Sequence, residues 1–304
     1  MTHPRHELEI REPLVRALLA EQHPDLVDLP LVRAAQGWDN VTFRLGEHLA
    51  VRLPARASAA PLVEHEQRWL TSLAPALPVP VPAPVRVGRP GAGFPWAWSV
   101  VPWLAGRPSD ELTAHERDAW APELAAALAA LHRPAPAGAP VNPFRGVPLA
   151  ARDEVIRARL AGHPAHGALL ASWGDGLAAP GWRGPAVWLH GDPHPANLLA
   201  AGGHLAAILD FGDVTSGDPA ADLGTTWATF TAAGRDRFWE AYAAASPLAR
   251  DEVASLRTRA RAWAAALVPT YEAHPREHPG LAVVDSLATA GAHALRELTS
   301  TTAT

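Results

Sequence analysis

Three side chains that carry oxygen stand between apolar segments in the second half of the sequence: Asp192, Asn197 and Asp210. Asp192 comes after the apolar run Val187-Trp188-Leu189, which predicts a buried strand. Pro193 follows directly and biases Asp192 toward extended backbone, so we expect a stiff loop. A carboxylate held in this way can accept or orient the proton of an attacking hydroxyl group.

The segment from Asn197 to Asp210 predicts a β-hairpin, because it contains a two-residue glycine turn between apolar strands. Counting outward from a pairing of Ala201 with His204 places Asn197 opposite Ile208. Asp210 then lies at the same open end of the hairpin as Asn197. An amide oxygen and a carboxylate oxygen that converge there suit Mg²⁺, a hard cation that prefers oxygen ligands.

The chemistry that this combination predicts is phosphoryl transfer. That reaction needs a positioned hydroxyl, a positioned carboxylate, metal ligands and cations on the phosphates, and asks little covalent chemistry of the protein. The plainer alternative is that the three side chains only satisfy the backbone of their loops. For all three together, at these spacings, we favour the chemical interpretation.

Two other classes of protein are alternatives. His190, Asp192 and His194 could bind a transition metal in a hydrolase. That interpretation leaves Asn197 and Asp210 unexplained, and chance clusters are expected among 15 histidines. A catalytically inactive, kinase-like binding module should have lost the base or the metal ligands, and this sequence keeps them.

The run His190-Gly191-Asp192, with Asn197 five residues later and Asp210 beyond the hairpin, resembles the catalytic motif of the aminoglycoside phosphotransferase family. Residues 217–223, Gly-Asp-Pro-Ala-Ala-Asp-Leu, resemble the family's following motif. This family is similar to eukaryotic protein kinases. The resemblance therefore implies an α+β, protein-kinase-like fold with a small β-rich N-lobe and a larger helical C-lobe.

The resemblance also implies roles for individual residues. Asp192 would be the catalytic base, and Asn197 and Asp210 would be the Mg²⁺ ligands. In the family's following motif the second aspartate, here Asp222, braces the catalytic loop. The residues expected to support that loop are His190, Asp218 and Asp222.

The nucleotide site is expected in the first third of the chain. Arg52 falls at the strand position where the family has a phosphate-contacting lysine, and this sequence has no lysine among its 26 basic residues. Arginine keeps the charge and can bind two phosphate oxygens. Glu66 would be its ion-pair partner, with Glu64 as the competitor. Gly37 and Asn40, between two predicted strands, resemble the family's nucleotide-phosphate loop.

The pattern of apolar residues predicts the elements that position these groups. Strand formers around a Gly46 turn predict a hairpin over 41–53, and helical spacing follows over 61–73. After an apolar strand at 96–104, helices predominate, with interruptions at Pro247 and between Pro269 and Pro279. We therefore place the N-lobe, with the phosphate loop and the hinge, at 1–104. The C-lobe, with the catalytic loop and the acceptor-binding helices, is placed at 105–304.

Composition does not favour several classes of function. The formal charge of −5 does not favour nucleic acid or anionic membranes as partners, and no apolar run approaches the roughly 20 residues that span a bilayer. The first residues are charged and hold no secretory signal, so we expect a cytoplasmic protein. The sequence leaves the oligomeric state open.

The expected donor is ATP or GTP with Mg²⁺, and the expected acceptor is a hydroxyl of a small molecule. Aminoglycosides or similar antibiotics are the first choice by resemblance. A site for these polycations should be rich in carboxylates, yet the chain from Thr231 onward holds eight acidic residues and eight arginines. Aromatic residues in the same region would suit a bulkier acceptor such as a macrolide, and most of them are expected in the core. A metabolic alcohol, such as a sugar or a choline-like compound, is the next alternative.

Overall fold

The computed structural model describes residues 7–36, 39–277 and 282–300. Its first part is an antiparallel sheet in the order β1-β2-β3-β5-β4, preceded by the helix α1 (Glu12–Gln22). The strands are β1 (Leu31–Gln36), β2 (Asn40–Leu45), β3 (Leu49–Pro54), β4 (Arg86–Gly88) and β5 (Trp98–Pro102). The predicted hairpin is confirmed, because β2 and β3 pair in register around Gly46.

The segment after β3 is helical, as its apolar spacing predicts, but it is not one uniform helix. It consists of α2 (Ala60–His65), a π-helical turn (Glu66–Leu70) and α3 (Thr71–Leu73). Single π-helical turns inside helices are rare and often occur at functional sites. Glu66 is the first residue of this turn and is buried.

Nine helices follow within the described part of the chain, and they enclose the larger apolar core. They are α4 (Ala114–Arg117), α5 (Ala121–Leu131), α6 (Asp153–Ala161), α7 (His166–Ala178), α8 (Ala220–Leu223), α9 (Thr225–Thr229), α10 (Ala232–Ala245), α11 (Arg250–Glu277) and α12 (Ala282–Thr299). Helix α11 packs against both α7 and α12.

Helix α11 continues through Pro269 and ends at Glu277, within the predicted interruption between Pro269 and Pro279. A proline inside a helix removes one backbone hydrogen bond and crowds the preceding turn. The packing of α11 offsets this cost, since residues on either side of Pro269, including Val268 and Tyr271, are buried in the core. The interruption at Pro247 is confirmed and separates α10 from α11.

Short strands lie between the helices and support the loops of the candidate site. They are β6 (Arg107–Pro108), β7 (Val187–Leu189), β8 (Leu198–Ala201), β9 (His204–Ile208) and β10 (Thr215–Gly217). Strands β6, β8 and β9 form one small sheet, and β7 pairs with β10 in another.

Two clusters of buried apolar residues form the core. One lies between α1 and the five-stranded sheet, and the other lies among the later helices and includes the aromatic residues of the last third. The boundary at 104/105 stays a prediction. Among the described residues, no helix combines the length and the apolar character that crossing a bilayer requires.

Candidate active site

The loop that carries Asp192 is held by hydrogen bonds from several directions. The His190 ring accepts the Asp192 N–H at Nδ1 (3.1 Å), and its Nε2 therefore donates to the Leu209 carbonyl (2.8 Å). From outside the loop, the hydroxyls of Ser109 and Thr225 donate to two proline carbonyls, each at 2.6 Å. The backbone around Asp192 is thus fixed before any substrate binds.

Gly191 is required by the geometry of this loop. Its φ is +89°, a conformation that favours glycine. A Cβ atom added there would lie 2.3 Å from the Asp213 carbonyl oxygen, which is backbone and cannot move aside easily. The close approach keeps Asp192 next to the segment that follows Asp210.

Asp222 braces the same loop, as the sequence motif predicts. Its Oδ2 accepts the His190 N–H (2.7 Å), its Oδ1 accepts the Gly191 N–H (2.9 Å), and the His132 ring lies 3.3 Å from Oδ2. Burial disfavours the charged carboxylate, but the hydrogen bond from His132 and the nearby histidine rings outweigh burial and lower the pKa of Asp222.

Replacing Asp222 by alanine is expected to reduce the free energy of unfolding by about 3 kcal/mol, because two buried N–H groups lose their acceptor. Denaturant unfolding measures the change. The lowered pKa means that the stabilisation is present at neutral pH and is lost as the pH falls, so the difference from wild type should shrink in acid. Asp175→Ala, on the exposed face of α7, is the matched control. An Asp222→Ala effect as small as that of the control would contradict the bracing role.

The predicted hairpin is present, with one correction. Its two turn glycines have φ values of +58° and +82°, the conformation that a tight hairpin turn needs. The predicted pairing of Asn197 with Ile208 is wrong, because Leu198 pairs with Ile208. A bulge at Ala206 inserts one extra residue into β9 and shifts the register. Asn197 therefore lies opposite Leu209, whose N–H donates to the Asn197 carbonyl (2.8 Å).

In this register Asp210 lies one residue beyond the position opposite Asn197, instead of the two residues predicted. Asn197 Nδ2 donates to the Asp192 carbonyl (2.9 Å), which fixes the amide and leaves its oxygen for another partner. Asp210 has left-handed backbone (φ 58°, ψ 70°), a costly conformation for a residue other than glycine, and its side chain is 46% exposed. One amide oxygen and one exposed carboxylate fit Mg²⁺, which keeps several waters and binds substrate phosphates.

Arg52 on β3 connects the five-stranded sheet with the hairpin. Its Nη1 donates to both carboxylate oxygens of Glu66 at 2.9 Å, and its Nη2 lies 3.4 Å from Asp210 Oδ1. Glu66, rather than Glu64, is therefore its partner. Burial disfavours the charge of Arg52, but Glu66 and Asp210 outweigh burial and raise the pKa of the guanidinium.

A second arginine, Arg145, stands beside the candidate base. Its Nη1 lies 2.7 Å from Asp192 Oδ1 and also donates to the Gly191 carbonyl. Its Nη2 lies 4.0 Å from Asp213 Oδ2. Burial raises the pKa of Asp192, but Arg145 and His194 together outweigh it and lower that pKa to about 2. Asp192 is consequently ionised at neutral pH.

The arrangement does not favour the metallohydrolase alternative. Both ring nitrogens of His190 are engaged with backbone groups, and His194 Nδ1 accepts the Ala196 N–H. Within the described ranges, no group of three or more histidine, aspartate or glutamate side chains is arranged to hold a metal. A site with only two protein ligands, Asn197 and Asp210, is consistent with that finding.

The remaining predicted site residues are Gly37, Asn40 and Asp218. Gly37 falls outside the described residues. Asn40 begins β2, and within the described part of the chain its buried amide oxygen has no hydrogen-bond partner. Asp218 binds Arg259 through both carboxylate oxygens (2.8 and 3.2 Å), and its N–H donates to the Gly146 carbonyl. Its support of the catalytic loop stays a prediction.

Sequence reasoning missed several residues that contact Asp192 or its neighbours in the site. His132 and Arg145 come from segments far from the motif, and no local spacing singles them out. Asp213 could have been found from the sequence, because it is the second carboxylate of the run Asp-Phe-Gly-Asp that begins at Asp210. Tyr271 was expected mainly as a core residue; it is buried on α11, and its ring lies 6.4 Å from that of His194.

Residues 30–276 match the model of the phosphotransferase enzyme family, APH. The matched residues make up well over half of the chain. The chain belongs to the phosphotransferase enzyme family. No curated protein sequence matches the chain of this phosphotransferase. Solved structures do, and they confirm the predicted kinase-like fold.

Three of the solved structures that are similar to this phosphotransferase are aminoglycoside or macrolide phosphotransferases. The GDP complex of wild-type aminoglycoside 2′-phosphotransferase-IIIa has a TM-score of 0.68 and 16% identity, over 95% of this chain and 98% of that one. The macrolide 2′-phosphotransferase MphH from Brachybacterium faecium, as apoenzyme, has a TM-score of 0.61 and 25% identity, over 94% and 98%. A ternary complex of an aminoglycoside phosphotransferase with streptomycin and ATP has a TM-score of 0.58 and 16% identity, over 89% and 93%.

Proposed function

We propose that this phosphotransferase moves the γ-phosphate of ATP or GTP onto a hydroxyl of an antibiotic, with Asp192 as the catalytic base. The observation that carries the proposal is the hydrogen-bonded connection of Asp192, Asn197 and Leu209, which places the base beside the two candidate metal ligands. The nucleotide is expected between this loop and Arg52 on the sheet. Similar structures with bound GDP or ATP support a nucleotide donor.

In the proposed reaction the acceptor oxygen forms a bond to the γ-phosphorus. The bond from that phosphorus to the bridging oxygen breaks, and its electron pair stays on the nucleoside diphosphate. Asp192 accepts the hydroxyl proton. With a pKa of about 2, Asp192 is a weak base, so it orients the hydroxyl first and takes the proton only as the new bond forms.

The other residues hold and neutralise charge. Arg52, anchored by Glu66, would contact the phosphates of the donor. Asn197 and Asp210 would hold Mg²⁺, which when bound would neutralise charge on those phosphates. Asp222 and His190 keep the loop of Asp192 in place through hydrogen bonds to its backbone.

Aminoglycosides and similar antibiotics are the first acceptor class that we propose. A macrolide is the second candidate, and two observations favour it. The macrolide enzyme MphH is 25% identical to this chain, whereas the aminoglycoside enzymes compared above are 16% identical. In addition, Val141 and Phe144, on the same loop as Arg145, expose large apolar side chains near the site.

The purified protein is expected to consume ATP or GTP when a suitable acceptor is added. The assay is nucleotide consumption over a panel of aminoglycosides, macrolides and simple alcohols, with the product identified by a mass gain of one phosphoryl group. Excess EDTA should abolish consumption, because Asn197 and Asp210 are proposed to act through Mg²⁺, and added Mg²⁺ should restore it. Consumption that continues in EDTA, or that persists in Asp192→Asn, would contradict the proposal.

A further inference from the structure

The loop before α6 is fixed against β10, and Arg145 lies between its anchor points. The Asn142 N–H donates to Thr215 Oγ1 (2.8 Å), and the Ser216 N–H donates to the Pro140 carbonyl (3.0 Å). On the far side of Arg145, the Gly146 carbonyl accepts the Asp218 N–H (2.8 Å). Because hydrogen bonds hold the loop on both sides, the backbone position of Arg145 is well defined.

Each of two arginines lies beside a different pair of carboxylates in the site. Arg52 binds Glu66 and lies near Asp210, whereas Arg145 binds Asp192 and lies near Asp213. Arg52 occupies the position of the family's lysine. Arg145 occupies no position that the sequence motif predicts, and its contact with Asp192, at 2.7 Å, is the shorter of its two ion pairs.

We propose that Arg145 is a positioning residue for the transfer reaction. It holds Oδ1 of Asp192 and the carbonyl of Gly191 together, so that Oδ2 of Asp192 is the oxygen left to meet the acceptor hydroxyl. This inference rests on the proposed function. The acceptor oxygen bonds to the γ-phosphorus, the leaving nucleoside diphosphate keeps the electron pair of the broken bond, and the hydroxyl proton goes to Oδ2.

The backbone contacts explain why Arg145 acts on the side chain of Asp192 and not on the loop as a whole. The N–H and the carbonyl of Asp192 are already bound, to His190 Nδ1 and to Asn197 Nδ2. The carboxylate is 24% exposed, and Arg145 is its closest ion-pair partner; His194 Nε2 lies 3.8 Å from Oδ2. Without the guanidinium, the carboxylate can rotate while its backbone stays in place.

Arg145→Gln is expected to lower kcat by about 10- to 100-fold, because misplacing a catalytic group by a small distance has effects of this size. The KM for the nucleotide should stay within about twofold, since Arg145 touches none of Arg52, Asn197 and Asp210. Arg145→Lys should recover part of kcat. The matched control is Arg157→Gln, which removes the guanidinium of an exposed pair on α6 and should leave kcat unchanged.

A double-mutant cycle separates positioning from a structural role. If Arg145 acts through Asp192, then Arg145→Gln should change kcat by less than about twofold in an Asp192→Asn background, whereas independent effects would multiply. Equal losses in both backgrounds, or an unchanged kcat in the single variant, would overturn the inference. Should Arg145→Gln fail to fold, Arg145→Lys carries the same cycle, with an intermediate loss expected only when Asp192 is present.

Consumption of the nucleotide by the wild-type protein separates a failure of the proposed function from a failure of this inference. Hydrolysis of MgATP and MgGTP, with water as the acceptor, is measured alongside transfer to the antibiotic panel. If the wild-type protein consumes neither nucleotide in either assay, the proposed function fails, and this inference fails with it. If the wild type consumes a nucleotide and Arg145→Gln consumes it equally fast, only the inference fails.

Discussion

Asp192→Asn is expected to lower kcat by about 10³-fold, in the middle of the range for loss of a general base. Asparagine has nearly the same shape, but its amide cannot accept the hydroxyl proton. The loop should keep its structure, because the backbone of Asp192 is held by His190 and Asn197 whatever its side chain is. The measurements are kcat at saturating donor and acceptor, and the dissociation constant of the nucleotide, which should change little.

Two further observations make the result for Asp192 decisive. The thermal midpoint of Asp192→Asn should remain close to that of wild type, so that lost turnover cannot be ascribed to unfolding. Asp175→Asn, which changes the same residue type on an exposed helix face, should keep full activity. Wild-type turnover in Asp192→Asn would eliminate the proposed base.

Arg52→Ala is expected to reduce both stability and use of the nucleotide. It leaves Glu66, which is 2% exposed, without its cation, and breaking a buried pair by removing one partner typically costs about 3–5 kcal/mol. It also removes the proposed contact with the donor phosphates, so the KM for the nucleotide should rise by at least about tenfold, as expected for a charge-assisted hydrogen bond of about 1.5–3 kcal/mol. Denaturant unfolding and steady-state kinetics measure the two effects.

Variants of neighbouring residues separate these effects of Arg52. Glu66→Gln combined with Arg52→Ala removes the stranded carboxylate, so this pair should regain stability without regaining nucleotide affinity. Arg44→Ala, on the adjacent strand β2, is the control, since Arg44 is exposed and its Nη2 bonds only the Glu47 carbonyl among the polar contacts described. If the nucleotide KM of Arg52→Ala equals that of Arg44→Ala, Arg52 does not contact the donor.

The sequence was informative where structure is local. The glycine turn and the apolar strands of the hairpin predict β8 and β9, since a two-residue turn with positive φ values admits few alternatives. The loop of Asp192 was likewise predictable, because proline, glycine and a buried strand constrain its backbone. Glu66 was expected as the partner of Arg52, with Glu64 as the competitor, and the geometry confirms the pair of Arg52 and Glu66.

The features that the sequence did not predict depend on packing between distant segments. The bulge at Ala206 has no signature of its own, and it shifted the predicted pairing of Asn197 by one residue. Arg145 reaches Asp192, and His132 reaches Asp222, from segments that lie far away in the chain. The continuity of α11 through Pro269 depends on burial against α7 and α12, which outweighs a strong local preference.

The hydrogen bonds among His190, Asp192, Asn197 and Leu209 form a closed ring. Leu209 accepts from His190 and donates to Asn197, Asn197 donates to Asp192, and Asp192 donates back to His190. Opening one bond of such a ring releases the constraint on the others, so the backbone N–H groups of Asp192 and Leu209, which donate within the ring, are expected to exchange together. The proposed base and Asn197, together with Asp210 next to Leu209, are therefore expected to be ordered together or lost together.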